Sequence, residues 1–305
     1  MTTSTPNSGQ PAAPRPFRLQ RPGTALSLLL CFFLFLLVLT GVVLPILGKI
    51  IHRPEAYIRI AAIFQDLLVF ILPAIATAML VTRLPARLLA VDRRPSLKAA
   101  LLAIGVLICS IPAMNLIIEW NKNWQLPESM AAAETFFRTL EEGAQATTDV
   151  LIKGASIPSL ILSILIVGLL AGFSEELFFR GALLRILGFT KINKHVVIWL
   201  VAFIFSAFHL QLYGFVPRLL LGAFFGYLLW WSGSLWLPVL IHIFNNTVVV
   251  ISTYISSNSA NPDAPSIDTF GSNLSDPVAI LGVLTSLILT TLGLCLLRRL
   301  THPKS

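Results

Sequence analysis

A run of seventeen apolar or small residues, Ile157 to Phe173, ends directly on the charged stretch SEELFFRGAL at 174–183. Hydrocarbon offers no partner to a backbone N–H or C=O, so a run of this length predicts a membrane-spanning helix that satisfies those groups within itself. Charge at the end of such a helix is costly. A carboxylate at mid-helix costs about 2.5–3.5 kcal/mol on insertion scales unless it faces a partner or a wet cavity. Glu175, Glu176 and Arg180 are therefore candidate functional residues, and their partners are to be sought in the other apolar runs. His209 in FSAFHL, and His242 with Asn246 in LIHIFNN, are polar residues set inside such runs.

The rest of the chain is built the same way. Of 305 residues, 56% are hydrophobic and only 12% charged, and the apolar residues come in long blocks without the alternation a barrel strand needs. The expected fold class is all-α: a polytopic membrane protein with about eight transmembrane helices and its site within the bundle. The expected spans lie near 25–48, 60–81, 99–118, 157–184, 196–212, 219–231, 235–256 and 278–297. The sixth is short, so it or the seventh is expected to be tilted or re-entrant. Four parts follow: a disordered polar tail at 1–24, amino-terminal spans with an outer loop at 25–155, a catalytic core at 156–256, and a loop, last span and basic tail at 257–305.

Eight crossings put both termini on one side. That side collects 15 of the 22 Lys and Arg residues, so it is expected to be cytoplasmic, in the cell membrane, with the site opening toward it. The net charge of +8 is explained by these loops, so no nucleic-acid partner is expected. The expected partners are membrane lipid and a membrane-associated protein or peptide. Cys31, Cys109 and Cys295 fall inside predicted spans and read as small buried side chains, without a disulfide or a cysteine-based zinc site. Asp66 interrupts the second span and reads as a residue bonded to a neighbouring helix. In the polar segment 119–154, residues 130–140 read equally as a surface helix or a solvated loop.

The polar residues suffice for hydrolysis. Residues four apart share a helix face, so Glu176 can pair with Arg180, and His242 and Asn246 can point into one cavity. Glu175 then faces elsewhere, by roughly 100°. One acid is held by Arg180 while the other can address a water. Glu175 with His209 can activate that water, and His242 with Asn246 can supply donors to the oxyanion that forms. The same atoms offer a metal set, Glu175, His209 and His242, with an open position; no cofactor is favoured, and zinc is the one metal the set suggests. There is no H-E-x-x-H helix, so those ligands would have to converge from three spans.

EELFFRG at 175–181, FSAFH at 205–209 and HIFNN at 242–246 resemble the three motifs of the CAAX prenyl protease and bacteriocin-processing (CPBP, Abi) family of intramembrane proteases. The resemblance covers about 160–250. It implies an endopeptidase in which Glu175 and His209 activate water and His242 and Asn246 stabilise the oxyanion. It leaves metal dependence open, since the family is also described as metalloproteases. The expectation is an intramembrane endopeptidase acting on a membrane-associated protein or peptide. The alternatives are a non-catalytic bacteriocin-immunity or scaffold protein of the same fold, which would tend to lose the motifs, and a transporter, for which no inverted repeat is found.

Overall fold

The computed structural model describes residues 18–152, 156–258, 270–272 and 275–301. Among these residues every regular element is helical. The longer helices are α1 (Pro22–Ile50), α2 (Pro54–Val81), α3 (Leu97–Lys122), α4 (Ala131–Ile152), α5 (Ile157–Gly188), α6 (Lys194–Phe208), α7 (Phe215–Ser232), α8 (Trp236–Ser257) and α9 (Pro277–Thr301). Prolines open α1, α2 and α9, where the missing N–H is no loss and the fixed φ suits the first turn. Ser156 caps α5 by accepting the Ser159 N–H at 3.3 Å.

Seven of the helices are long and apolar enough to cross a membrane: α1, α2, α3, α5, α7 with its preceding turn, α8 and α9. The chain is thus a polytopic membrane protein. The expected span at 196–212 is α6, which has only 15 residues and measures about 22 Å, less than a hydrocarbon core of about 30 Å. The short element is thus the fifth and not the sixth or seventh. Helix α7 is complete because it starts at Phe215, ahead of Pro217, and it stops at Gly233, whose φ of +65° ends it in the left-handed region. Of the expected tail at 1–24, residues 1–17 lie outside those described, and helix already begins at Pro22, with Leu19 buried. The expected boundary at 155 also falls outside them. Across it, Val69, Phe70 and Ala74 of α2 share one core with Leu177, Phe178 and Phe179 of α5 and Phe205 of α6. Cys31 and Cys295 are exposed, contrary to the expectation of burial.

The bundle has two distinct ends. At one, Leu235 N–H donates to Ala90 O at 2.8 Å, Ser234 Oγ to Arg93 O at 2.6 Å and Arg185 Nε to Leu88 O at 3.0 Å, which gathers the arginine-rich 83–98 connection. The first and last described residues are here too, since Leu19 packs with Ala78 and Leu88, and Leu297 with Ala99 and Ala100. At the other end Asn121 Nδ2 donates to Leu212 O at 3.1 Å, and its Oδ1 accepts Val216 N–H at 2.9 Å. Helix α4 lies at this second end. It is longer than the expected 130–140 and is amphipathic, so the surface-helix reading of that segment holds.

Small residues set how closely the helices approach. Gly168 and Gly172 of α5 lie one above the other, and a Cβ on Gly172 would sit 3.2 Å from the backbone N of Ile243 in α8. Gly222 and Gly226 of α7 do the same against Ala202 and Ile198 of α6. In lipid, where apolar surface drives little association between helices, such close backbone contact is a main source of packing energy.

Candidate active site

Helix α5 brings the acids into place with an altered winding. It follows π geometry over Ile164–Ala171 and again over Glu176–Leu184, and α2 does so over Asp66–Ile71 beside it. Such i→i+5 turns re-aim side chains relative to a regular helix and cluster at functional sites. The three segments meet at Ser174, whose Oγ donates to Asp66 Oδ1 at 2.7 Å. Asp66 is buried, and this contact makes it the interhelical partner the sequence suggests.

Glu175 and Glu176 are separated as their spacing requires. Glu176 is fully enclosed, and its Oε1 accepts from Arg180 Nη1 at 2.7 Å. Arg180 is equally enclosed. Its Nη2 donates to Gly222 O at 2.9 Å, and its guanidinium lies 4.4 Å from the centroid of the Phe205 ring and 5.4 Å from that of Phe225. This cation is therefore held by one carboxylate, one carbonyl and two aromatic faces, which is how a buried charge is tolerated. Glu175 points the other way. It lines a cavity of about 800 Å³ together with His209, His242, Asn245, Asn246, Phe205 and Phe208. A separate cavity of about 390 Å³ between α3 and α9 has neither acid nor imidazole in its wall.

Both histidines have their Nδ1 engaged. His209 Nδ1 lies 2.8 Å from Phe205 O, and a carbonyl only accepts, so this nitrogen carries the proton. His242 Nδ1 lies 2.9 Å from Glu176 Oε1, the oxygen that also receives Arg180, and donates to it. In the neutral rings each Nε2 is then left with a free lone pair. His242 Nε2 is 3.9 Å from Glu175 Oε2, and the ring stacks on Phe225 at 4.8 Å. The Glu176–His242 bond has no mark in the sequence, where spacing pairs Glu176 with Arg180 alone.

Asn246 Nδ2 donates to Val167 O at 3.0 Å, which leaves the second hydrogen of that amide for a ligand, and Asn245 Nδ2 donates to Asn246 Oδ1 at 3.3 Å. Asn245 is a site residue that helical spacing does not single out, although the doubled asparagine in HIFNN marks it. Rise along the helices places His209 and His242 about 9 Å apart in depth on the expected boundaries. The two line one cavity because α6 stops at Phe208, with His209 at its carboxyl cap.

One expectation needs correction. The cavity is walled by α4, through Thr139, Leu140, Gly143, Thr147 and Thr148, so it lies toward the bundle end opposite the arginine-rich connection. The sequence points to the basic end, because the length of α4 is not legible in it. Among the described residues no three His, Cys, Asp or Glu side chains form a group that could hold a metal ion.

Residues 157–248 match a family model described as "Type II CAAX prenyl endopeptidase Rce1-like". No curated protein and no solved structure matches the chain. The matched residues run from the start of α5 into α8 and hold all of the candidate residues Glu175, Glu176, Arg180, His209, His242 and Asn246. Over this segment, less than a third of its length, the chain is similar to the CAAX prenyl endopeptidase family.

Proposed function

We propose that the chain is an intramembrane endopeptidase in which Glu175 activates a water for attack on a peptide carbonyl. The observation that carries this reading is the division of labour between adjacent acids. Glu176 is enclosed and committed to Arg180 and His242, while Glu175 faces the cavity with, among the described residues, no charged partner closer than 3.9 Å. A water between the Glu175 carboxylate and His209 Nε2 is held by two acceptors and is oriented to give up a proton. Its oxygen attacks the carbonyl carbon, and Glu175 takes the proton. The tetrahedral oxyanion is met by the free hydrogen of Asn246 Nδ2 and by His242, which donates from Nε2 when protonated, its charge balanced by Glu176 across Nδ1. Glu175 then passes its proton to the leaving nitrogen as the C–N bond breaks, so the products are a carboxylic acid and an amine.

No step is routed through a metal. A single turnover in ¹⁸O-labelled water tests the chemistry. General-base attack puts the label in the new carboxylate of the first product molecule, whereas a covalent route through Glu175 would leave that product unlabelled and mark the enzyme. With the basic end cytoplasmic, the cavity lies toward the other leaflet; a membrane-anchored peptide reaching it from within the bilayer is the substrate class that fits.

A further inference from the structure

The arginine-rich end of the bundle holds a second polar cavity, of about 400 Å³, that shares no residue with the candidate active site. The segment ahead of α1 and the end of α2 make its wall. Leu19 is buried and packs with Ala78 and Leu88, which ties the first segment to the second. With Leu19 anchored, its neighbours Arg18 and Gln20 line the cavity, and Thr82 and Arg83 close it from the end of α2. Thr82 Oγ1 accepts the Leu84 N–H at 3.1 Å, which leaves the hydroxyl hydrogen to donate. Among the described residues neither Arg18 nor Arg83 has an ion-pair or hydrogen-bond partner. The sequence keeps carboxylates away from them. The first 54 residues contain no Asp or Glu, Glu55 lies at the other end of α2 about 40 Å away, and Asp92 is paired with Arg87 at 3.7 Å.

Solvation accounts for one arginine at the end of a span. It does not account for two, from either side of the α1–α2 hairpin, on the wall of one cavity, where like charges repel unless an anion lies between them. The place of the cavity says where that anion comes from. Met79 and Leu80 belong to its wall, yet they are 66% and 65% exposed on the last turn of a membrane-spanning helix, so they face hydrocarbon. The cavity thus lies where lipid tails give way to headgroups, and its volume suits a headgroup. A phosphate matches the planar guanidinium fork in two parallel hydrogen bonds. We propose that this cavity binds a phosphate group and that an anionic phospholipid supplies it. The phosphate lies between Arg18 and Arg83 with Thr82 donating to it, and the acyl chains run down α2 past Met79 and Leu80. A zwitterionic lipid fits less well, because its own cation sits beside the phosphate and meets two guanidinium groups. The site stands independently of the protease reading.

Native mass spectrometry of the full-length protein in detergent tests it, with phosphatidylglycerol and phosphatidylcholine of identical acyl chains offered at equal concentration. The wild type is expected to retain phosphatidylglycerol about 5- to 30-fold over phosphatidylcholine, the range for one to two arginines at an anionic headgroup. Arg18→Gln or Arg83→Gln alone is expected to lower that preference about 5-fold, and the two together to abolish it. Arg94→Gln with Lys98→Gln removes the same charge from the same end of the bundle but outside the cavity, and is expected to keep the preference. Arg18 and Arg83 are exposed, so the fold is kept, and equal melting temperatures of wild type and variants in lipid-free detergent check this. No preference in the wild type, or equal losses from the two double variants, would overturn the proposal. Glycerol 1-phosphate carries the phosphate without acyl chains and is expected to leave bound phosphatidylglycerol in place at equal concentration. Displacement would assign the cavity to a soluble phosphate and overturn the lipid.

Discussion

His242 donates from Nδ1 to Glu176 at 2.9 Å, so the second acid of the EE pair is bonded to the imidazole and does not line the cavity that Glu175 faces. One carboxylate oxygen thereby links the buried cation Arg180 to the cavity wall. The consequence is that the two glutamates, adjacent in sequence, fail differently when changed.

Glu176→Gln leaves Arg180 enclosed without its counter-ion and is expected to destabilise the protein by about 3–5 kcal/mol. Arg180→Lys is expected to behave alike, since a lysine cannot reach Glu176 and Gly222 O together. Glu175→Gln, at a half-buried cavity position, is expected to leave the melting temperature unchanged while cleavage is lost. Thermal unfolding in detergent, read beside peptide cleavage, separates the two classes. Equal melting temperatures for Glu175→Gln and Glu176→Gln would contradict the assignment.

The glycine contacts between α5 and α8 differ in what an added methyl would meet. At Gly172 it meets the backbone of Ile243, at 3.2 Å from N and 3.3 Å from Cα, whereas at Gly168 it meets the Thr247 hydroxyl, which can rotate away. Gly172→Ala is therefore expected to cost about 1–3 kcal/mol and Gly168→Ala less. Because Gly172 lies one turn before Glu175, its substitution should also lower kcat by shifting Glu175 relative to His242. Steady-state kinetics of both variants would show it, and a larger effect from Gly168→Ala would count against the close-contact argument.

Glu134 ties the start of α4 to the segment before it. Its carboxylate accepts the Leu126 N–H at 3.0 Å, and that bond, followed by those to Tyr213 and Arg138, holds its pKa below the ordinary carboxylate value. A depressed folded value means that this tie is present at neutral pH and is lost as pH falls through the lowered pKa. The protection factor of the amides at the start of α4, that is, exchange corrected for its intrinsic dependence on pH, should fall in acid over that window. In Glu134→Gln that fall should vanish; a protection factor that is flat with pH in the wild type would refute the role.

Much of this architecture is legible in the amino-acid sequence. The membrane class, the pairing of Glu176 with Arg180, the turn of Glu175 to another face and the shared face of His242 and Asn246 follow from helical spacing and the cost of charge in lipid, whereas His209 joins them only through the motif resemblance, because helical rise sets it apart in depth. What spacing cannot supply is the winding of the helices. The π segments of α2 and α5 have no sequence mark, and the early end of α6 at Phe208 is a tertiary result, with Ser206 Oγ bonded to Phe215 O at 2.6 Å. Arg218 and Gln211 of the active-site cavity wall escape notice because they sit near span ends, where a polar side chain is ordinarily solvated. The part played by α4 is hidden because its apolar stripe, taken alone, fits a membrane surface as well as a cavity wall. GLLAG at 168–172 and GAFFG at 222–226 do carry a readable signal, a pair of glycines four apart, and both mark contacts that position the site.

The most direct test of the central claim is cleavage of a quenched peptide library by the purified protein, wild type beside Glu175→Gln, each with and without a strong zinc chelator. The account predicts cleavage by the wild type that survives chelation and disappears in Glu175→Gln. Cleavage that is lost on chelation and restored by zinc, or that persists in Glu175→Gln, would contradict it.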